Sequence, residues 1–266
     1  MTEWMWFVLI GACSGFLGGM LGIGGGVIIV PALILVYELS NSHAPEIITV
    51  VAIATSLSCI IFTSLSAAYT QYLSKKINWK IARTMAPFFI LGSFSAGVVI
   101  PYLPAPTLRL VISVFLLSVA IIMMLSWSPH TTRTFPRRLA AWGVGYGGGF
   151  VSGTAGIAGG NVIVPTLVYF GTPMHNATAT SSAMGVPIAA AGALGYVLSA
   201  DVFLSSGMLG YVDLESWLLI TIAAVSTAPL GVRTAHRVSA PSLKRYFGAL
   251  LLLVAGRMFY SSYTLM

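Results

Sequence analysis

The sequence predicts an all-α polytopic membrane protein made of two inverted repeats, each holding a glycine-broken re-entrant or discontinuous helical block plus three transmembrane helices. Three observations predict it. Of the 266 residues, 57% are hydrophobic and 7% are charged, whereas a soluble domain carries about 25% charged residues. Apolar runs long enough to cross a bilayer recur along the chain. A glycine-rich segment also occurs twice: GFLGGMLGIGGGVIIVPAL at Gly15 to Leu33 returns as GFVSGTAGIAGGNVIVPTL at Gly149 to Leu167, identical at 11 of 19 positions with an offset of 134.

Eight apolar blocks follow in order, at roughly 4–36, 46–72, 83–101, 104–126, 139–170, 174–199, 214–235 and 241–264. The first and fifth are too long for one simple helix and are interrupted by Gly22, Gly24, Gly25 and Gly26, and by Gly156, Gly159 and Gly160. Short helices are expected after these breaks, over Val27 to Val36 and Val162 to Tyr169. The second and sixth blocks share Ala-Thr-Ser, at Ala54 to Ser56 and Ala179 to Ser181, and LPAPTLR at Leu103 resembles VSAPSLK at Val238. The chain thus divides into a first transmembrane repeat, 1–126, a cytoplasmic linker, 127–138, and a second transmembrane repeat, 139–266.

Charge sets the orientation. Eleven of the 13 Lys and Arg fall in three clusters: Lys75, Lys76, Lys80 and Arg83; Arg133, Arg137 and Arg138; Arg233, Arg237, Lys244 and Arg245. If all three are cytoplasmic, as the positive-inside bias requires, corresponding connections of the two halves lie on opposite faces, so the repeats are inverted. All six acids, Glu3, Glu38, Glu46, Asp201, Asp213 and Glu215, then fall on the other side. The net charge of +7 therefore reports topology and not an acidic partner.

Other classes find no support. Soluble enzymes and nucleic-acid binders are excluded by composition, and Cys13 and Cys59, both inside apolar stretches, offer neither a disulfide framework nor a metal or redox site. No metal or cofactor is expected. The first Lys or Arg is Lys75, so the N-terminus lacks the basic region of a cleaved signal and is expected in the mature protein. An intramembrane enzyme would need a nucleophile or metal motif such as HExxH or GxSxG, and none occurs.

The breaks are the candidate substrate site. Consecutive glycines at membrane depth are tolerated only against protein or a polar cavity, and they permit positive φ and close approach of a ligand. Helices starting after Gly24, Gly25, Gly26 and after Gly159, Gly160 would point free N–H groups and positive dipole ends at an anion. Thr55, Ser56, Thr180 and Ser181 add hydroxyls that could bind anion oxygens or instead bond helix to helix. Asn161 is either an extra donor without counterpart at Val27 or a helix cap. Gly15, Gly19, Gly145, Gly149 and Gly153 read as packing seams. Arg257 and His175 are candidates for a gate or coupling group, and Arg109 for a gate or an interface-seeking cation.

The duplicated G-x-x-G-G-x-x-x-V-P pattern, with Gly22, Gly25, Gly26 and Pro31 matched by Gly156, Gly159, Gly160 and Pro165 and followed by Ala-Thr-Ser, resembles the TauE/SafE family, the sulfite exporter group, over essentially the whole chain. The resemblance implies a multi-pass transporter of the plasma (inner) membrane that moves sulfite, organosulfonates or related small sulfur-containing anions outward. It carries the site onto those glycines and onto Thr55, Ser56, Thr180 and Ser181. An anion channel, or a carrier of another small organic anion such as a carboxylate, makes similar demands on sequence. The expected partners are a small anion and the lipid bilayer, with no nucleic acid.

Overall fold

The computed structural model describes residues 3–22, 24–124, 138–201, 204–205, 207–235, 248–249, 251–253, 255–256 and 259. Arg257, the 127–137 part of the linker, most of the eighth block and the cations Arg133, Arg137, Arg237, Lys244 and Arg245 lie outside them. The described chain is nearly all helix: α1 (Glu3–Leu21), α2 (Gly26–Ser40), α3 (Ile48–Leu73), α4 (Trp79–Val99), a one-turn 3-10 helix (Ile100–Tyr102), α5 (Ala105–Met124), α6 (Arg138–Thr154), α7 (Gly160–Tyr169), α8 (Met174–Leu198) and α9 (Leu214–Ala235). A small antiparallel sheet, β1 (Leu204–Ser205), β2 (Met208–Leu209) and β3 (Val212–Asp213), joins α8 to α9. Helices α1, α3, α8 and α9, and α4 with its 3-10 extension, are long and apolar enough to span a bilayer. The short helices begin one and two residues earlier than expected, because Gly26 and Gly160 already have helical geometry.

Both long blocks are helical hairpins. The chain leaves α1, turns at the glycines and returns as α2 beside it, with Gly25 against Ser14 and Gly18 against Gly25. Helices α6 and α7 repeat this arrangement in the second half.

Small residues set the pairing. Gly11, Gly15 and Gly19, four apart on one face of α1, lie on Ile220, Ala224 and Ala228 of α9. Gly145, Gly149 and Gly153 of α6 lie in the same way on α4, at Met85 and Phe88, Phe89, and Ser93 and Ala96. A side chain at Gly15 or Gly149 would strike the neighbouring backbone carbonyl, so helices without strong hydrophobic attraction in lipid approach closely only through these glycines. Each first hairpin arm therefore packs, in parallel, along a helix of the other half.

At the centre α3 and α8 pack antiparallel, Ser64 facing Gly185 and Leu57 facing Gly192. Helix α3 also runs parallel to α9, where Cys59 Sγ donates to the Trp217 carbonyl and Ser66 to the Val225 carbonyl. Almost all of α3 facing this centre is buried, from Val50 to Ile60. Glu46 and Lys75 flank its 26 residues, so they stand about 39 Å apart at opposite ends.

Candidate functional site

The glycine breaks meet in the middle of the molecule. Gly22, Gly24 and Gly25 have φ of 70, 77 and 84°, and Gly156 and Gly159 have 68 and 79°, a region that residues with a Cβ adopt only under strain. Gly25 and Gly159 are the left-handed N-caps of α2 and α7. The first ladder bonds are donated by Ile28 to Gly25 and by Val162 to Gly159, so the N–H groups of Gly26, Val27, Gly160 and Asn161 lie ahead of the helical ladder. Gly26 abuts the carbonyl of Gly156, and Gly24 faces Ala158 and the Ser64 hydroxyl.

The Ala-Thr-Ser segments tie each break to the opposite half. Ser56 donates to the carbonyl of Gly156 at 2.9 Å, and Ser181 to that of Gly22 at 3.0 Å. Thr55 accepts from the Asp213 amide, while Thr180 accepts from the Asn78 amide, each at 3.0 Å. Asn78 and Asp213 cap the starts of α4 and α9: the Asn78 side chain accepts from Ile81 N, and Asp213 Oδ1 accepts from Glu215 N and Ser216 N. The two segments thus make the same bonds with the halves exchanged. Ser56 and Ser181 spend their protons on backbone carbonyls, and Thr180 donates to the Asn176 carbonyl, so these hydroxyls hold the frame of the breaks.

Asn161 stands on the second residue of α7, 5% exposed, and neither its Nδ2 nor its Oδ1 has a partner among the described residues. His175 is exposed in the first turn of α8. Arg109 is buried on α5, donating from Nε to Thr49 at 2.9 Å and from Nη1 to Glu38, which joins α5 to α3 and α2. Charge pairing holds it inside the protein instead of drawing it to an interface.

Sequence reasoning did not find the polar cluster around Asp213. Tyr37 donates to Asp213 Oδ2 at 3.0 Å and lies 2.6 Å from Ser216 Oγ, and His43 Nε2 reaches Oδ2 at 3.4 Å. Burial alone would raise the Asp213 pKa, but hydrogen bonds from His43, Ser216 and Tyr37 and the nearby His43 charge bring it below the ordinary value. These residues are spread between 37 and 216 with no common spacing, so no motif marks them. Among the described residues no group of three or more His, Cys, Asp or Glu is placed to hold a metal.

Crossed hairpins and spanning helices around glycine breaks make this a polytopic membrane protein. Residues 7–258 match the family model described as sulfite exporter TauE/SafE. The chain is 31% identical over 258 residues to a probable membrane transporter protein of Haemophilus influenzae, covering 95% of this chain and 96% of that one. It is 27% identical over 248 residues to a probable membrane transporter protein of Methanocaldococcus jannaschii, covering 92% and 91%, and 26% identical over 228 residues to one from Bacillus subtilis, covering 82% and 86%. No solved structure gives a significant match. The chain belongs to the TauE/SafE family.

Proposed function

We propose that this protein exports small sulfur-containing oxyanions, sulfite or organosulfonates, across the plasma membrane by alternating access between two inverted repeats. The observation that carries the reading is the contact between the two glycine breaks at the packed centre, Gly26 at the start of α2 lying on the Gly156 carbonyl just ahead of α7. Main-chain N–H groups and dipole ends attract an anion without a fixed positive charge. The opposed directions of α3 and α8 support the inversion. The basic residues Lys75, Lys76, Lys80 and Arg83 are assigned to the cytoplasmic end.

Counterflow in proteoliposomes tests it: labelled sulfite taken up saturably, accelerated by unlabelled sulfite inside and competed by an organosulfonate, is the expected result. Gly25→Val or Gly159→Val should abolish counterflow, since a branched residue at positive φ costs about 1–3 kcal/mol in strain and would push the break off Ser14 or off Ile163. Monodispersity in detergent serves as the folding control. Transport that depends only on a cation, or folded Gly25→Val and Gly159→Val variants with parental counterflow, would overturn the reading.

A further inference from the structure

We infer that sulfite is held at the breaks as its singly protonated anion, the O–H and an adjacent oxygen pairing with the two polar atoms of Asn161; this rests on the site just proposed. Asn161 is 5% exposed, with both Nδ2 and Oδ1 unpartnered among the described residues. Buried donors and acceptors are nearly always paired, and leaving them unpaired is expensive. Nor is the residue needed for the fold. The N-cap is Gly159, the Asn161 side chain makes no capping bond, and asparagine is no better a helix former than valine. The repeat provides an internal control: its counterpart is Val27, 2% exposed in the hydrophobic core. An apolar side chain therefore satisfies packing at this place in the fold.

A carboxamide presents one donor and one acceptor side by side. Its complement is a group with an acceptor oxygen and an O–H on the same central atom, as in hydrogen sulfite or another singly protonated oxyanion. A fully deprotonated oxyanion offers acceptors only, so its lone pairs would face those of Oδ1. The surroundings point the same way. Among the described residues, the atoms nearest the glycines of the breaks belong to Ser, Thr, Ile, Val, Ala, Phe and Gly, none of them cationic, and a dianion is far harder to desolvate than a monoanion in such surroundings. The helix N-termini then take the remaining oxygens.

Binding to the purified full chain, followed by calorimetry, tests this with sulfite, which changes from monoanion to dianion near neutral pH, and with methanesulfonate, a monoanion without an O–H. The parent should bind sulfite about tenfold more weakly at about pH 8 than at about pH 6, while methanesulfonate, held by the helix N-termini alone, should still bind and compete, more weakly than sulfite at about pH 6 and without dependence on pH. Asn161→Val, which copies the counterpart residue and should fold, is expected to lower sulfite affinity about tenfold and flatten its pH profile. Asn161→Gln should recover part of that profile. Parental sulfite binding and pH profile in Asn161→Val would overturn the inference, showing that the amide pairs with water. Parental affinity that is level across pH would overturn the protonated ligand while leaving the anion site intact. If no oxyanion binds the parent, both fall.

Discussion

Thr55 and Thr180 invite a test that separates frame from ligand. From sequence alone a Thr→Val exchange removes either an anion contact or a helix-to-helix bond. In the structure each hydroxyl accepts an amide from the opposite half, so the exchange strands the Asp213 or Asn78 N–H. Unfolding of Thr55→Val and Thr180→Val in detergent should show a loss of about 1–3 kcal/mol each. Variants as stable as the parent would mean that these amides find water instead. The repeat made the Ala-Thr-Ser pairs legible, but a linear pattern cannot say which half a hydroxyl reaches. Arg109 illustrates the same limit: its partners Glu38 and Thr49 are 71 and 60 residues away in sequence.

Helix starts show how the two halves diverged. Asn78 and Asp213 do the same capping work, yet only Asp213 ionises. Its folded pKa is depressed, so the carboxylate stabilises the fold above its unfolded pKa and that contribution disappears as pH falls through the folded value. Asp213→Asn borrows the residue of the sister helix and should still cap α9. Melting temperatures across pH should show the variant below the parent near neutrality and the two converging below about pH 4; a constant gap would remove the carboxylate from the account. At this scale the sequence served the hairpins and the seams well. Clustered glycines foretold the breaks, and the four-residue spacing of Gly145, Gly149 and Gly153 foretold close packing, while the partners α4 and α9 needed coordinates. Nothing in composition signalled the β1–β3 sheet, whose strands have two residues each.

Over the whole molecule, charge follows the helix directions. Glu46 and Asp213 stand at the starts of α3 and α9, which run in parallel, while Lys75 and Arg233 stand at or near their far ends. Asp201 follows α8, which runs the other way, and so shares the acidic end. Single cysteines at Lys75, Glu46 and Asp201, in a background lacking Cys13 and Cys59, should label with an impermeant maleimide on intact cells at 46 and 201 but not at 75. The reverse pattern would turn the protein over in the membrane. The crossed bonds also bear on how such a chain is made. When the ribosome has delivered only the first half, the Gly22 carbonyl lacks Ser181, Thr55 lacks Asp213, and the α1 seam lacks α9. The early helices must therefore wait in the bilayer, loosely associated and open to quality control, until synthesis reaches α9. Biogenesis of the break thus depends on the last third of translation.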